Sequence, residues 1–129
     1  MNPATPTPAI ATVEALLAAY AQGDRSFSGI SLIAAQLQTT DLKGADLSHA
    51  DLSEADLKQA NLRGTDLSYA ILRGADLANA DLRGTTLIGT DLREATLTAA
   101  NFKDADYDPQ ETRFPPGFDP AQAAMRSDR

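Results

Sequence analysis

Cysteine is absent from the 129 residues. That excludes disulfides, thiolate zinc sites and cysteine nucleophiles, and it leaves the redox compartment undetermined. His49 is the sole histidine, so a multi-histidine metal centre cannot be assembled within one chain. Tryptophan is missing and aromatic residues make up only 5% of the chain, so a core of bulky rings is excluded and Leu and Ala must build it. Long hydrophobic runs are missing too. The opening "MNPATPTPAIATVEALLAAYAQ" has no basic region, and Pro, Thr and Glu interrupt its apolar residues. It reads neither as a secretory signal nor as a membrane span, and a cytoplasmic location without membrane attachment is the expectation. Positive charge is in short supply: 11 Lys and Arg face 18 Asp and Glu, for a net charge of −7. That balance disfavours direct binding to nucleic-acid phosphates or anionic lipid.

What the chain has in abundance is a period of five. In "ADLSHADLSEADLKQANLRG", residues 45–64, an Ala, then Asp or Asn, then Leu return at every fifth position. Stepping by five from Phe27 through the leucines at 32 to 97, then Phe102 and Tyr107, meets 17 large apolar centres without a gap. Two positions before each centre stands Ala or Thr, with Arg25 and Ile30 as the only departures. One position before it, from 41 onward, stands Asp or Asn except at Ile71, Thr86 and Thr96.

Five matches neither the 3.6 of a helix nor the 2 of a strand, and a fixed period of this kind marks a repeat architecture. Alternate residues on an extended segment face the same way, so the Leu and the small residue point inward together. The Asp between them and the residue after the Leu are expected to point outward. The next inward pair would fall out of phase on a straight chain, so the chain must turn once per unit. The natural corner is the second position after the centre, where glycine stands at 29, 44, 64, 74, 84 and 89 and a positive φ is easiest. The product is a solenoid with a Leu interior and a polar exterior.

These A-(D/N)-L-x-x units resemble the pentapeptide-repeat family over residues 25–109, most strictly over 41–105. The resemblance implies an all-β fold: a right-handed quadrilateral β-helix of about four coils, with four units to a coil and short capping helices at both termini. Four sides and handedness come from the resemblance; the period itself shows only turning and an inward face. Residues 1–11 read as a disordered amino-terminal tail and 12–24 as a capping helix, with Thr12 as N-cap, Glu14 in the first turn and Gly23 as the stop. Leu16, Leu17 and Tyr20 would lie on its buried side. Residues 110–129 read as a carboxyl-terminal cap. Toward the carboxyl end Phe102, Tyr107, Phe114 and Phe118 replace Leu, and "RFPPGFDPAQAAMRSDR" suggests a Pro-Pro-Gly turn followed by a short helix capped by Asp119. The FPPGFDP element is similar to the tails of many cyanobacterial members of the family.

With four units per coil, every fourth unit stacks, and equivalent positions line up in columns. Lys43, Arg63, Arg83 and Lys103 form a basic column beside Asp41, Asn61, Asp81 and Asn101. It reads either as a strip for an anionic partner or as a self-neutralised face. Asp46, Asp66 and Asp106, with Thr86 interrupting them, form the most acidic side, followed by Ser48, Ser68, Ile88 and Asp108. The break at Thr86 argues against a calcium ladder there. Ile33, Ile71 and Ile88 are apolar where the pattern points outward. Tyr69 occupies the corner beside Ile71, and His49 is expected to stack with it one coil earlier. Tyr69, Ile71 and Ile88 are therefore candidates for a small exposed contact patch.

No nucleophile, base and orienting group converge by spacing, and neither a cofactor nor a metal motif is present. The expected function is a non-catalytic, rigid interaction scaffold without cofactor, acting on an unidentified protein partner. Its candidate contact residues are Tyr69, Ile71, Ile88 and the basic column of Lys43, Arg63, Arg83 and Lys103. The alternative is mimicry of DNA toward DNA gyrase, as some family members practise. That role suits a longer and more acidic rod, whereas residues 25–109 carry 8 basic against 13 acidic residues, a net of −5. Monomer is favoured over an end-to-end homodimer.

Overall fold

The computed structural model describes residues 12–127; the expected tail over 1–11 lies outside the described residues. The chain first forms a short helix, α1 (Val13–Ala21). Thr12 is extended, and its Oγ1 accepts from the Ala15 N–H at 3.0 Å, so an otherwise unpaired donor of the first turn is satisfied. After Gln22 the helix stops at Gly23, whose φ of +100° lies outside the helical range. Leu16 is fully buried, while Leu17 and Tyr20 pack against the core more loosely.

From Ser26 to Thr86 each unit makes one parallel bridge to the fourth unit after it: Ser26 to Asp46, Ser31 to Asp51, Gln36 to Asp56, Asp41 to Asn61 and so on to Thr86 with Asp106. Four sides thus share each circuit, and every side stacks on the next. The Leu47 N–H donates to Asp66 O at 2.8 Å, the His49 N–H to Ser68 O at 2.9 Å, and the Asp66 N–H back to Ala45 O at 3.0 Å. This ladder answers where an extended chain with one bridge per unit sends its backbone polar groups. The centres from Phe27 to Leu92 are buried, as are most of the Ala positions between them.

The corners fall where the period places them. All 16 positions from Gly29 to Asp104, in steps of five, have positive φ: six glycines and ten other residues. Each corner closes through the small residue that follows it, as when the Ala50 N–H donates to Leu47 O at 3.1 Å. A four-residue turn with positive φ at its third residue is type II. Thr at the small position adds its hydroxyl: Thr65 and Thr85 donate to the carbonyls of Leu62 and Leu82, both at 2.9 Å, and Thr90 donates to Leu67 O at 2.7 Å. That is why Thr can replace Ala in a dry column.

Two readings need correction. The Asp and Asn residues before each centre, expected simply to point outward, are not freely solvated. Most are half-buried, and one side-chain oxygen accepts the N–H two positions ahead, from Asp46 to Ser48 at 3.0 Å and from Asp66 to Ser68 at 2.9 Å. Asn61 does the same toward Arg63, so the position selects for a carbonyl-type acceptor rather than for charge.

The second correction concerns the carboxyl end, where no helix forms among the described residues. Asp119 Oδ1 does accept from the Ala121 N–H at 2.9 Å, but the chain continues as turns. It then lays β2 (Arg126–Ser127) parallel on β1 (Asp106–Tyr107). Pairing to the exposed backbone edge wins over helix formation in so short a segment.

Candidate interaction surfaces

The four centres Leu42, Leu62, Leu82 and Phe102 anchor the side that carries the basic column. Bridges join Asp41, Asn61, Asp81 and Asn101 in one line, and their side-chain oxygens hold the N–H groups of Lys43, Arg63, Arg83 and Lys103 at 3.1, 3.2, 3.2 and 3.1 Å. Arg83 turns back on Asp81 as a two-pronged pair, with Nε and Nη2 at 2.8 and 2.6 Å from the two oxygens. This pairing holds the Asp81 carboxyl below the usual carboxylate range. Lys43, Arg63 and Lys103 make no ion pair among the described residues.

Sequence reasoning missed a group at the foot of this column. The Tyr20 hydroxyl donates to Lys43 O at 2.7 Å, and the Arg25 guanidinium lies 3.6 Å from the centre of the Tyr20 ring. Arg25 also donates to the Tyr20 and Asp24 carbonyls, so α1 delivers a fixed cation beside the column. Burial and then the Asp41 charge raise the Tyr20 pKa, so it remains a donor at neutral pH. The available signal was Arg25 at a position reserved for small residues.

The second candidate surface surrounds one corner. Tyr69 and Ile71 are 48% and 40% exposed, against near-zero values for the centres, whereas Ile88 is half-buried. Ile88 lies on the side before the corner and Ile71 on the side after it; the Tyr69 N–H donates to Ile88 O at 2.9 Å. The rings of His49 and Tyr69 stack at 5.4 Å with 14° between their planes. Beyond Tyr69 the corner column continues with Gly89, and a Cβ there would run into the Tyr69 ring. The absence of a side chain lets the ring lie over that corner, and its hydroxyl donates to Glu111 Oε2 at 2.8 Å. Ile33 is 57% exposed, but it is on the first circuit, away from this corner.

The acidic side differs from its sequence reading at one residue: Asp108 is buried, not outward. The register shifts by two positions here, so that Asp91 pairs with Arg113 where the strict period would bring Glu111. Among the described residues no group of three or more His, Asp or Glu is placed to hold a metal ion, and no pocket opens.

With this geometry in view, the family model for pentapeptide repeats matches residues 40–77 and 75–106, in eight copies across the model. The chain belongs to the pentapeptide-repeat family. No curated protein sequence matches the chain. Among solved structures it is similar to a pentapeptide repeat protein from Nostoc Pcc 7120, with 48% identity and a TM-score of 0.92, over 94% of this chain and 99% of that one. It is also similar to a pentapeptide repeat protein from the Arabidopsis thaliana thylakoid lumen, with 33% identity and a TM-score of 0.55, over 62% of this chain and 59% of that one. These relatives imply that the β-helix is right-handed, and a non-catalytic repeat scaffold fits the family.

Proposed function

We propose that this pentapeptide-repeat chain is a rigid, non-catalytic module that presents fixed side chains to a protein partner. Its 17 units build a four-sided tower of about four coils, with α1 and the carboxyl tail closing the two ends. Catalysis needs groups that converge in a concave site, whereas here the variable side chains leave a Leu-filled tower in diverging directions. The observation that carries the reading is the corner at Tyr69. An aromatic ring, Ile71 and Ile88 gather where the pattern elsewhere places polar residues, and Glu111 holds the ring in one orientation. Tyr is enriched at the energetic centres of interfaces, and a ring already held in place loses less freedom on binding. The module acts as a monomer in the cytoplasm and uses no cofactor. Affinity capture from the native host extract, with wild-type bait and a Tyr69→Ser, Ile71→Ser, Ile88→Ser bait, tests this. A specific partner retained by the first and lost from the second supports the corner; equal capture removes it.

A further inference from the structure

We infer that the ladder of Lys43, Arg63, Arg83 and Lys103 is a docking strip for a short, extended, acidic segment of a partner protein, an inference that rests on reading the chain as an interaction module. The strip carries four cations against the carboxylates of Asp41, Asp81 and the corner residue Asp104, so it holds +1 while the rest of a chain of net −7 holds −8. Its alternate acceptors are amides, Asn61 and Asn101, which serve the backbone as a carboxylate would without adding charge. Arg63 and Lys103 are the basic residues these two amides hold, and neither forms an ion pair among the described residues. By contrast, Lys58, Arg73 and Arg93 on the other sides are each tied to a carboxylate, at 2.8, 2.7 and 2.7 Å. Arg113, bridged to Asp91 on another side, also forms no ion pair among the described residues, but Lys43, Arg63 and Lys103 bring three such cations onto one line of an otherwise acidic surface.

The shape of the strip selects among anions. Three of its four corners, Gly44, Gly64 and Gly84, bear no side chain, and beyond their chain neighbours no heavy atom lies within 4 Å of where a Cβ would stand; the fourth corner is Asp104. An approaching chain therefore meets a bare edge beside Lys43, Arg63 and Arg83. Stacked backbones repeat at about 4.8 Å, so three intervals span roughly 14 Å, the reach of four or five extended residues. Arg25, held over Tyr20, extends the positive line at its foot. A strip one side chain wide suits a single extended chain. A nucleic-acid duplex or a lipid surface is far broader and would bring its charges against the flanking acidic sides.

The test is fluorescence anisotropy with a labelled hexaglutamate peptide at about 20 mM salt, where exposed charges are least screened. Duplex DNA and anionic phosphatidylglycerol vesicles are titrated in parallel. The Arg63→Gln, Lys103→Gln variant is compared with Lys58→Gln, Arg73→Gln, which removes the same net charge from other sides. Thermal melts of both establish that they are folded. Binding of hexaglutamate weakened about fivefold in the ladder variant alone, the effect of two exposed charge pairs, supports the strip. Equal weakening in both variants, no hexaglutamate binding, or tighter binding of DNA or vesicles overturns it. The capture experiment at the Tyr69 corner reads a different surface, so a failed strip and a failed interaction module remain distinguishable.

Discussion

Asp66 shows what the repeat asks of a single residue. Its Oδ1 accepts the Ser68 N–H at 2.9 Å, a bond that an amide can make equally well. Asp66→Asn is therefore expected to leave the melting temperature nearly unchanged, while Asp66→Ala loses about 1 kcal/mol by thermal or urea unfolding. Equal losses would show that charge, not the acceptor, is what the position supplies. The corner glycines separate two costs. Gly44→Ala meets no neighbour but must keep a φ of +73°, a cost of about 1 kcal/mol. Gly89→Ala bears the same backbone cost and also drives Tyr69 off its place, so its loss should be larger. In a Tyr69→Ala background the extra loss should vanish, leaving Gly89→Ala close to Gly44→Ala.

Among the elements, the carboxyl tail depends most on interactions far apart in sequence. The Thr112 hydroxyl donates to Leu87 O at 2.7 Å and accepts from the Asp108 N–H at 3.0 Å, all in a buried setting. Thr112→Val keeps the shape and removes both bonds while Leu87 O retains the Thr90 N–H at 3.1 Å, so a destabilisation of about 1 kcal/mol in urea unfolding is expected. Phe118 stands edge-on to Phe102 at 5.3 Å and stacks with Phe114 at 4.9 Å, while Phe114 stands edge-on to Tyr107 at 5.7 Å, which places the tail over the last two centres. If the tail shields that end, as the proposed monomer requires, removing residues 110–129 should expose Phe102 and produce a concentration-dependent oligomer in light scattering where the full chain shows none. A truncated chain that stays monomeric would show that the tail is not a shield. The aromatic substitutions were legible as an ending. The register shift and the strand pairing were not, because both depend on an edge that exists only once the preceding circuit has formed.

For the whole molecule, charge and stability are coupled at low pH. Hydrogen bonding by Lys58, Arg83 and Arg93 holds Asp56, Asp81 and Asp91 below their ordinary pKa of 3.8. A carboxylate with a depressed folded-state pKa contributes stability above its unfolded value, and the contribution is lost as pH falls through the folded value. The melting temperature should be flat from neutral pH to about 5 and fall below about 4. An Asp81→Asn, Asp91→Asn variant, which keeps the turn acceptors, should be slightly less stable at neutral pH and should decline less steeply in acid. Since these pairs are partly exposed, salt should shrink the difference between the two proteins. An unchanged acid slope would show that other groups control the transition.

The period of five alone determined the buried centres, the small positions beside them and the corners, since side-chain direction along an extended segment alternates locally and Leu must leave water. It also marked Tyr69, Ile71, Ile88 and the basic column as departures or stacks worth locating. Only the tertiary structure decided what surrounds each. Why Tyr69 can lie over Gly89 and reach Glu111, and how Tyr20 brings Arg25 to the column, depend on residues about a circuit or more apart, beyond the range of any local pattern. The tail followed the same rule. Its sequence favoured a capped turn of helix, but the open backbone of β1 offered hydrogen bonds that a short helix cannot match.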